Sequence, residues 1–94
     1  MKQQNAATLD TLMKEGKRLS HSREWQKENN LPRVSYLGVD LNEPGGVRTK
    51  TEYALVIAVD LGGYWPATIK MYFSAEPTPV QIEERIIQNV GNLR

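Results

Sequence analysis

The stretch TEYALVIAVDL, residues 51–61, decides the fold. Apolar side chains occupy every second position from Tyr53 to Leu61, and the positions between them include Ala54, Val56 and Ala58. This period-two alternation, with β-branched and aromatic residues, predicts a strand. Because both of its faces are largely apolar, we expect this strand to lie at the centre of a sheet.

Two further strands are predicted on either side of the central one, over residues 33–41 and 67–74. The connections contain turn-forming Gly and Pro, and such short links favour an antiparallel meander. In the first strand, the alternation predicts Leu37 and Val39 on the core face and Tyr36 on the opposite face.

Helices are predicted at both ends of the chain. Residues 6–30 form a helical segment with an apolar stripe, and the stretch Ser20-His21-Ser22 predicts a break within it, because serines favour caps over helix interiors. Residues 79–92 form the C-terminal helix, with Thr78 as N-cap and Gln81 completing a capping box. Gly91 is predicted to end this helix.

These elements predict one two-layer α+β domain over residues 1–94, in the order α-β-β-β-α. A three-stranded antiparallel meander would carry the N-terminal and C-terminal helices packed on one of its faces. Residues 1–5 are expected to be disordered.

Composition and motifs exclude most catalytic chemistry. The chain has no Cys, which excludes disulfides and thiolate sites, and His21 is its only histidine. Glu83 and Glu84 are adjacent in a helix and therefore point about 100° apart. The stretch from Asp40 to Thr51 partly matches a calcium loop, but Pro44 occupies a ligand position. We expect no enzyme activity, no catalytic or metal-binding residues and no cofactor.

The N-terminus lacks the apolar core of a signal peptide, and no apolar run has the about 20 residues that a membrane helix needs. We therefore expect a cytoplasmic protein with no membrane partner. The net charge is +1, so no strong overall field favours polyanions.

The surfaces indicate protein binding. Tyr64 and Trp65, in the glycine-rich turn after the central strand, either pack against the end of the sheet or project as an anchor for a partner, since these residue types dominate many interfaces. Tyr36, Lys70 and Tyr72 are predicted on the open face of the sheet. The proposed function is an adaptor or inhibitor, of the kind found among bacterial and phage accessory proteins. A homodimer through an edge strand or the open face is a further expectation.

The alternative is a protein that binds RNA or DNA. The open sheet face with its tyrosines is similar in kind to the stacking platform of single-stranded RNA binders. The predicted phosphate contacts for this alternative are Arg18, Arg23, Lys27 and Lys70.

Two families share the predicted order of elements. The double-stranded RNA-binding domain is also α-β-β-β-α, but its last helix opens with a lysine-rich motif, where this chain has acidic Glu83 and Glu84. The stretch Tyr64-Trp65-Pro66 resembles the Tyr-Pro turn of the RWD and ubiquitin-conjugating-like fold, with one residue inserted. That resemblance implies a non-catalytic protein-interaction module. No specific family is identified.

Overall fold

The computed structural model describes residues 2–42, 52–73 and 75–93 of the chain. The elements follow in the order α1 (Lys2–Ser20), α2 (Arg23–Glu28), β1 (Val34–Asn42), β2 (Glu52–Val59), β3 (Ala67–Phe73) and α3 (Pro79–Leu93). The strands form one antiparallel sheet in the order β1-β2-β3, so the predicted α+β meander is confirmed. Helix α1 already includes residues 2–5, which were expected to be disordered, and α3 continues through Gly91 instead of ending there.

The hydrophobic core lies between the sheet and the helices. Its fully buried side chains include Leu12, Leu19, Val34, Leu55, Ile57, Val59, Met71, Ile82, Ile86 and Val90. The alternate positions of β2 therefore face the helices, as the period-two pattern predicts. The opposite face of the sheet has no helix of the described residues packed on it.

Both predicted helix starts are capped by side chains. Ser22 Oγ accepts a hydrogen bond from the Trp25 amide at 3.2 Å, and α2 begins immediately after it. At α3, the Thr78 amide donates to Gln81 Oε1 at 2.9 Å, while the Gln81 amide donates to Thr78 Oγ1 at 3.2 Å. This reciprocal pair is the capping box that the sequence predicts.

A β-bulge in β1 changes which of its side chains face the core. The register shifts between Tyr36 and Gly38, so that Leu37 is an extra residue relative to β2. Gly38 has φ of 154°, in the region that favours glycine. Tyr36 and Val39 consequently pack against the core, whereas Leu37 is 55% exposed. The predicted core position of Leu37 is therefore wrong, because Leu37 is the extra residue and the alternation before it is shifted by one position relative to the alternation after it.

Tyr36 packs against α1 at Gly16, the one residue of this helix that has no side chain. A Cβ atom placed on Gly16 would lie 2.6 Å from Tyr36 Cδ1, which shows how closely the ring approaches the helix backbone. The ammonium of Lys17 lies 5.9 Å from the centre of the same ring. Gly16 thus permits the close contact between α1 and β1.

A fully buried amide, Gln26, joins α1, α2 and the edge of β1. Its Nε2 donates to the carbonyl of Leu19 at 2.9 Å and to that of Val34 at 3.3 Å, and its Oε1 accepts from the Val34 amide at 3.4 Å. Arg23 also donates to Gln26 Oε1, at 2.8 Å. The side chain therefore pairs with both backbone groups of Val34, as a neighbouring strand would.

Candidate functional site

The connection between β2 and β3 projects two large aromatic side chains into solvent. Tyr64 is 97% exposed and Trp65 is 84% exposed, and Leu61 beside them is 45% exposed. Tryptophan is highly buried on average in folded proteins, so exposure of this degree is unusual. The sequence left open whether these two side chains pack against the end of the sheet or project from it, and in the structure they project. We call residues 60–66 the aromatic turn.

Local contacts restrict the backbone of the aromatic turn. Asp60 Oδ1 accepts a hydrogen bond from the Gly62 amide at 3.0 Å, which closes an Asx-type turn. Gly62 has φ of 92°, a conformation that favours glycine. Pro66 fixes its own φ just before β3 begins, and the peptide bond that precedes it is trans. The aromatic pair is therefore presented from a constrained loop.

The sheet face turned away from the helices is the open face. Its side chains come from alternate strand positions and include Ser35, Asp40, Ala54, Val56, Ala58, Thr68, Lys70 and Tyr72. Lys70 Nζ lies 2.8 Å from Asp40 Oδ2, so an ion pair crosses over the central strand. The hydrogen bond to Asp40, followed by the charges of Asp40 and Tyr72, raises the pKa of Lys70.

Apolar surface on the open face comes mainly from Leu37 and Tyr72, which are 55% and 39% exposed. Leu37 lines a shallow depression of about 270 Å³ together with Val56 and Asp40. Ala54 lies between Asp40 and Tyr72 in the register and is fully buried although it belongs to this face. The accessible apolar surface is therefore concentrated on the two outer strands.

The aromatic turn and the open face are continuous. Tyr64 lines a pocket of about 300 Å³ with Ser35 and Ala58, and Arg33 and Asp60 line the same pocket. The Asp60 amide donates to the Arg33 carbonyl at 2.9 Å, which extends the pairing of β1 with β2. Sequence reasoning missed Arg33 and Asp60, although each lies two residues from an open-face position and strand periodicity could have identified both.

The sequence-predicted binding residues divide between the two sides of the sheet. Tyr64, Trp65, Lys70 and Tyr72 lie on the aromatic turn or the open face. Tyr36 does not, because it precedes the bulge and is paired there with the core-facing residue Ile57, so that its ring packs against α1. The prediction of Tyr36 on the open face is therefore wrong, and Leu37 is the exposed apolar residue of β1.

Arg18, the first cation of the predicted nucleic-acid site, forms ion pairs with two carboxylates. Its guanidinium lies 2.7 Å from Glu83 Oε2 and 2.6 Å from Glu15 Oε1. The hydrogen bond to Glu83, then that to Glu15, raises the pKa of Arg18. The guanidinium thus joins α1 to α3 instead of facing solvent alone.

The remaining predicted cations lie on different parts of the molecule. Arg23 and Lys27 lie on α2, and Lys27 makes no ion pair within the described residues. Lys70 lies on the opposite side of the sheet from α1 and α2. The fold therefore does not bring these cations together as one phosphate-binding surface.

On both edges of the sheet, side chains form hydrogen bonds with backbone groups of the outer strands. Gln26 pairs with Val34 on the β1 edge. On the β3 edge, Arg85 donates to the Tyr72 carbonyl at 3.0 Å, and its guanidinium lies 4.7 Å from the centre of the Phe73 ring. A strand added at either place would displace these contacts, so the edges are less accessible for pairing than the open face.

No metal-binding cluster is found among the described residues. They contain no cluster of three or more His, Cys, Asp and Glu side chains that could hold a metal. His21 is exposed, with its Nδ1 at 2.9 Å from the Lys17 carbonyl oxygen. A depression of about 550 Å³ between β3 and α3 contains Glu84 and Arg85, and Arg85 is engaged by the sheet edge. The partial calcium-loop match extends into residues 43–51, outside the described residues.

In the described part of the chain, no helix combines the length and the apolar character that crossing a bilayer requires. Helix α1, at 19 residues, has basic residues in its last turn. Comparison of this chain with protein-family models, with curated proteins and with solved structures finds no significant match.

Proposed function

We propose that this chain is a small non-enzymatic binding protein that acts through protein–protein contacts, with the aromatic turn and the open face as its binding surface. One observation carries the proposal: Tyr64 and Trp65 are 97% and 84% exposed. Tyr and Trp are enriched among the residues that contribute most binding energy at interfaces. The proposal includes an adaptor or inhibitor role toward another protein in the cytoplasm.

The local structure of the turn suits it to this role. Binding costs free energy when mobile loops and side chains become ordered, and a constrained loop reduces that cost. The Asp60 contact to Gly62 and the fixed φ of Pro66 restrict the backbone on both sides of the aromatic pair. Each aromatic side chain buries about 150–250 Å² when it is enclosed, so the pair supplies a substantial apolar centre for an interface.

Nucleic-acid binding receives less support from the charges. Affinity for phosphates depends on cations that displace counterions together. Arg18 is paired with two glutamates and Lys70 with Asp40, so these cations would have to exchange carboxylates for phosphates. Salt distinguishes the two functions, because contacts to phosphates weaken steeply with ionic strength whereas a desolvated aromatic contact does not.

Photo-crosslinking from the aromatic turn tests the proposed function. A photoreactive phenylalanine derivative replaces Trp65 in one variant and Val80 in a control variant. Val80 is 59% exposed and lies on α3, away from the open face. Both proteins are irradiated in lysate of the cells that produce the chain, with and without nuclease, and adducts are identified by mass spectrometry.

We expect a discrete protein adduct from position 65 that is absent from position 80, survives nuclease and high salt, and decreases with the additional substitution Tyr64→Ala. Equal labelling from both positions would contradict the proposal, because it would show no preference for the turn. A nucleic-acid adduct that disappears at high salt would replace protein binding with the alternative function.

A further inference from the structure

The binding surface carries opposite charges at each of its two ends. Arg33 and Asp60 lie beside the aromatic turn. Asp40 and Lys70 lie farther along the sheet, opposite Ala54 and Val56 of the central strand. Within the described residues Arg33 makes no ion pair and Asp60 Oδ1 accepts from the Gly62 amide, whereas Asp40 and Lys70 are paired with each other at 2.8 Å. The surface is thus neutral as a whole but has a defined charge pattern.

This charge pattern is complementary to itself. If a second copy is rotated by 180° about an axis that crosses the strands between two facing sheets, each strand lies antiparallel over its own copy. Arg33 of one copy then lies over Asp40 of the other, and Asp60 lies one strand and about two residues from Lys70. The two charges therefore flank the Asp40–Lys70 ion pair of the other copy, each beside its opposite charge. Each of these pairs occurs twice, as in any isologous two-fold interface. Face-to-face sheets pack about 10 Å apart, which side chains from both sheets bridge.

The same rotation matches the apolar parts of the surface. The aromatic turn lies beyond one end of the open face, and Tyr72 lies near the other end. End-over-end pairing therefore places Tyr64 and Trp65 of each copy over the Tyr72 end of the other. Leu37 and Val56, which share a depression in the middle of the face, lie near the two-fold axis. Aromatic side chains that are exposed in one chain become enclosed in the pair.

The size of the surface is adequate for a specific dimer. Three strands at about 4.8 Å spacing and about eight residues at about 3.3 Å give an open face of roughly 380 Å². The two aromatic side chains of the turn add about 400 Å². The result, roughly 780 Å² per copy, approaches the about 800 Å² per partner of standard interfaces, whereas the open face alone would be too small.

We propose that the partner of this surface is a second copy of the chain, and that two sheets pack face to face in antiparallel orientation through the open face and the aromatic turn. This inference rests on the proposed function, because it names the partner of the same surface. It places the six strands of the pair in a two-sheet sandwich, with the helices on the two outer sides.

Sedimentation analysis of charge-reversal variants tests this arrangement. The full chain is measured from about 1 μM to about 1 mM, a range that covers weak and moderately tight association. The variants are Arg33→Glu, Asp40→Lys and their combination. The control is Glu84→Lys, which reverses an exposed charge on α3, and circular dichroism verifies that each variant is folded.

We expect the wild type to dimerise and each single reversal to weaken dimerisation about tenfold, because two pairs per dimer change from attractive to repulsive. The combined variant should recover to within about threefold of the wild type. Along one chain, Arg33 and Asp40 are about 20 Å apart, beyond the screening length of about 8 Å at physiological salt. Recovery therefore reports a contact between copies. The control should dimerise as the wild type does.

Two results would overturn the inference. One is a monomer throughout the concentration range; a different protein crosslinked at position 65 would then retain the proposed function, and the absence of any such adduct would remove both. The other is a dimer that the two charge reversals and the variant Tyr64→Ala/Trp65→Ala leave unchanged, because its interface would lie elsewhere.

Discussion

Replacement of Gln26 by Ala should lower the free energy of unfolding by about 2–4 kcal/mol. The substitution leaves the amide and carbonyl of Val34 without their side-chain partner, whereas the Leu19 carbonyl still accepts from the Ser22 amide at 3.3 Å. A buried backbone group without a partner costs about 1–3 kcal/mol. Water that enters at the β1 edge would satisfy some of these groups, so the lower part of the summed range applies.

Urea unfolding of Gln26→Ala beside Gln88→Ala measures this effect. Gln88 is exposed on α3, so its replacement should change stability by less than about 0.5 kcal/mol. A loss below about 1 kcal/mol for Gln26→Ala, with an unchanged urea dependence, would refute the role assigned to the buried amide.

The isosteric variant Gln26→Glu adds a pH dependence to the same test. Arg23 donates to the Oε1 position and would favour a charged carboxylate, so the variant is made together with Arg23→Ala. The carboxylate then faces the Leu19 and Val34 carbonyls without a proton to donate, and burial raises its pKa in the folded state. The folded state then binds more protons than the unfolded state, and stability falls as the pH rises through the unfolded pKa toward the folded one. A variant whose stability increases over that pH range would contradict this geometry.

Three further predictions concern the helices and the open face. Gly16→Ala should destabilise the fold by about 1–2 kcal/mol, because the new Cβ would lie 2.6 Å from Tyr36 Cδ1. Gly91→Ala, whose new Cβ would meet no atom within 4 Å, should stabilise the fold by about 0.5–1 kcal/mol. Thermal unfolding of the two variants measures both effects. Thr78→Ala should cost about 1 kcal/mol by removing the cap of α3, as measured by urea unfolding. An NMR titration should place the pKa of Lys70 above its ordinary 10.5, and the substitution Asp40→Asn should lower it. Because the folded-state pKa is raised, the Lys70–Asp40 pair stabilises the fold at neutral pH, and this stabilisation is lost as the pH rises through the raised pKa.

Local signals predicted most of the element order. The serines at positions 20 and 22 identified the helix break, and the Thr78–Gln81 pair identified the start of α3, because capping is a contact between near neighbours in sequence. Alternation along β2 identified the central strand and its buried face. Each of these features depends on residues within a few positions of one another.

Features that depend on distant residues were not predictable in the same way. The bulge at Leu37 is a property of the pairing between β1 and β2, although Gly38 is a residue type that often marks such sites. Gln26 lies in a polar stretch, and only the tertiary arrangement buries it. Gly91 has the residue type of a helix end, but Val90 before it packs in the core and α3 continues to Leu93.

The candidate site combines both kinds of information. The residue types at Tyr64 and Trp65 indicated an anchor, but the sequence did not decide between packing and projection, since that depends on the space at the end of the sheet. The self-complementary charges became visible only when Arg33 and Asp60 were found on the same face as Lys70.

The binding surface depends on the exposure of Trp65, which fluorescence quenching measures in solution. The chain has two tryptophans, so Trp25→Phe leaves Trp65 as the only indole. In dilute solution, we expect emission typical of indole in water and quenching by iodide close to that of free tryptophan. Protection from iodide should appear as the concentration is raised and the chains associate. Protection that is already complete in the dilute monomer would contradict the proposed binding surface, because the aromatic turn would then fold back onto its own sheet.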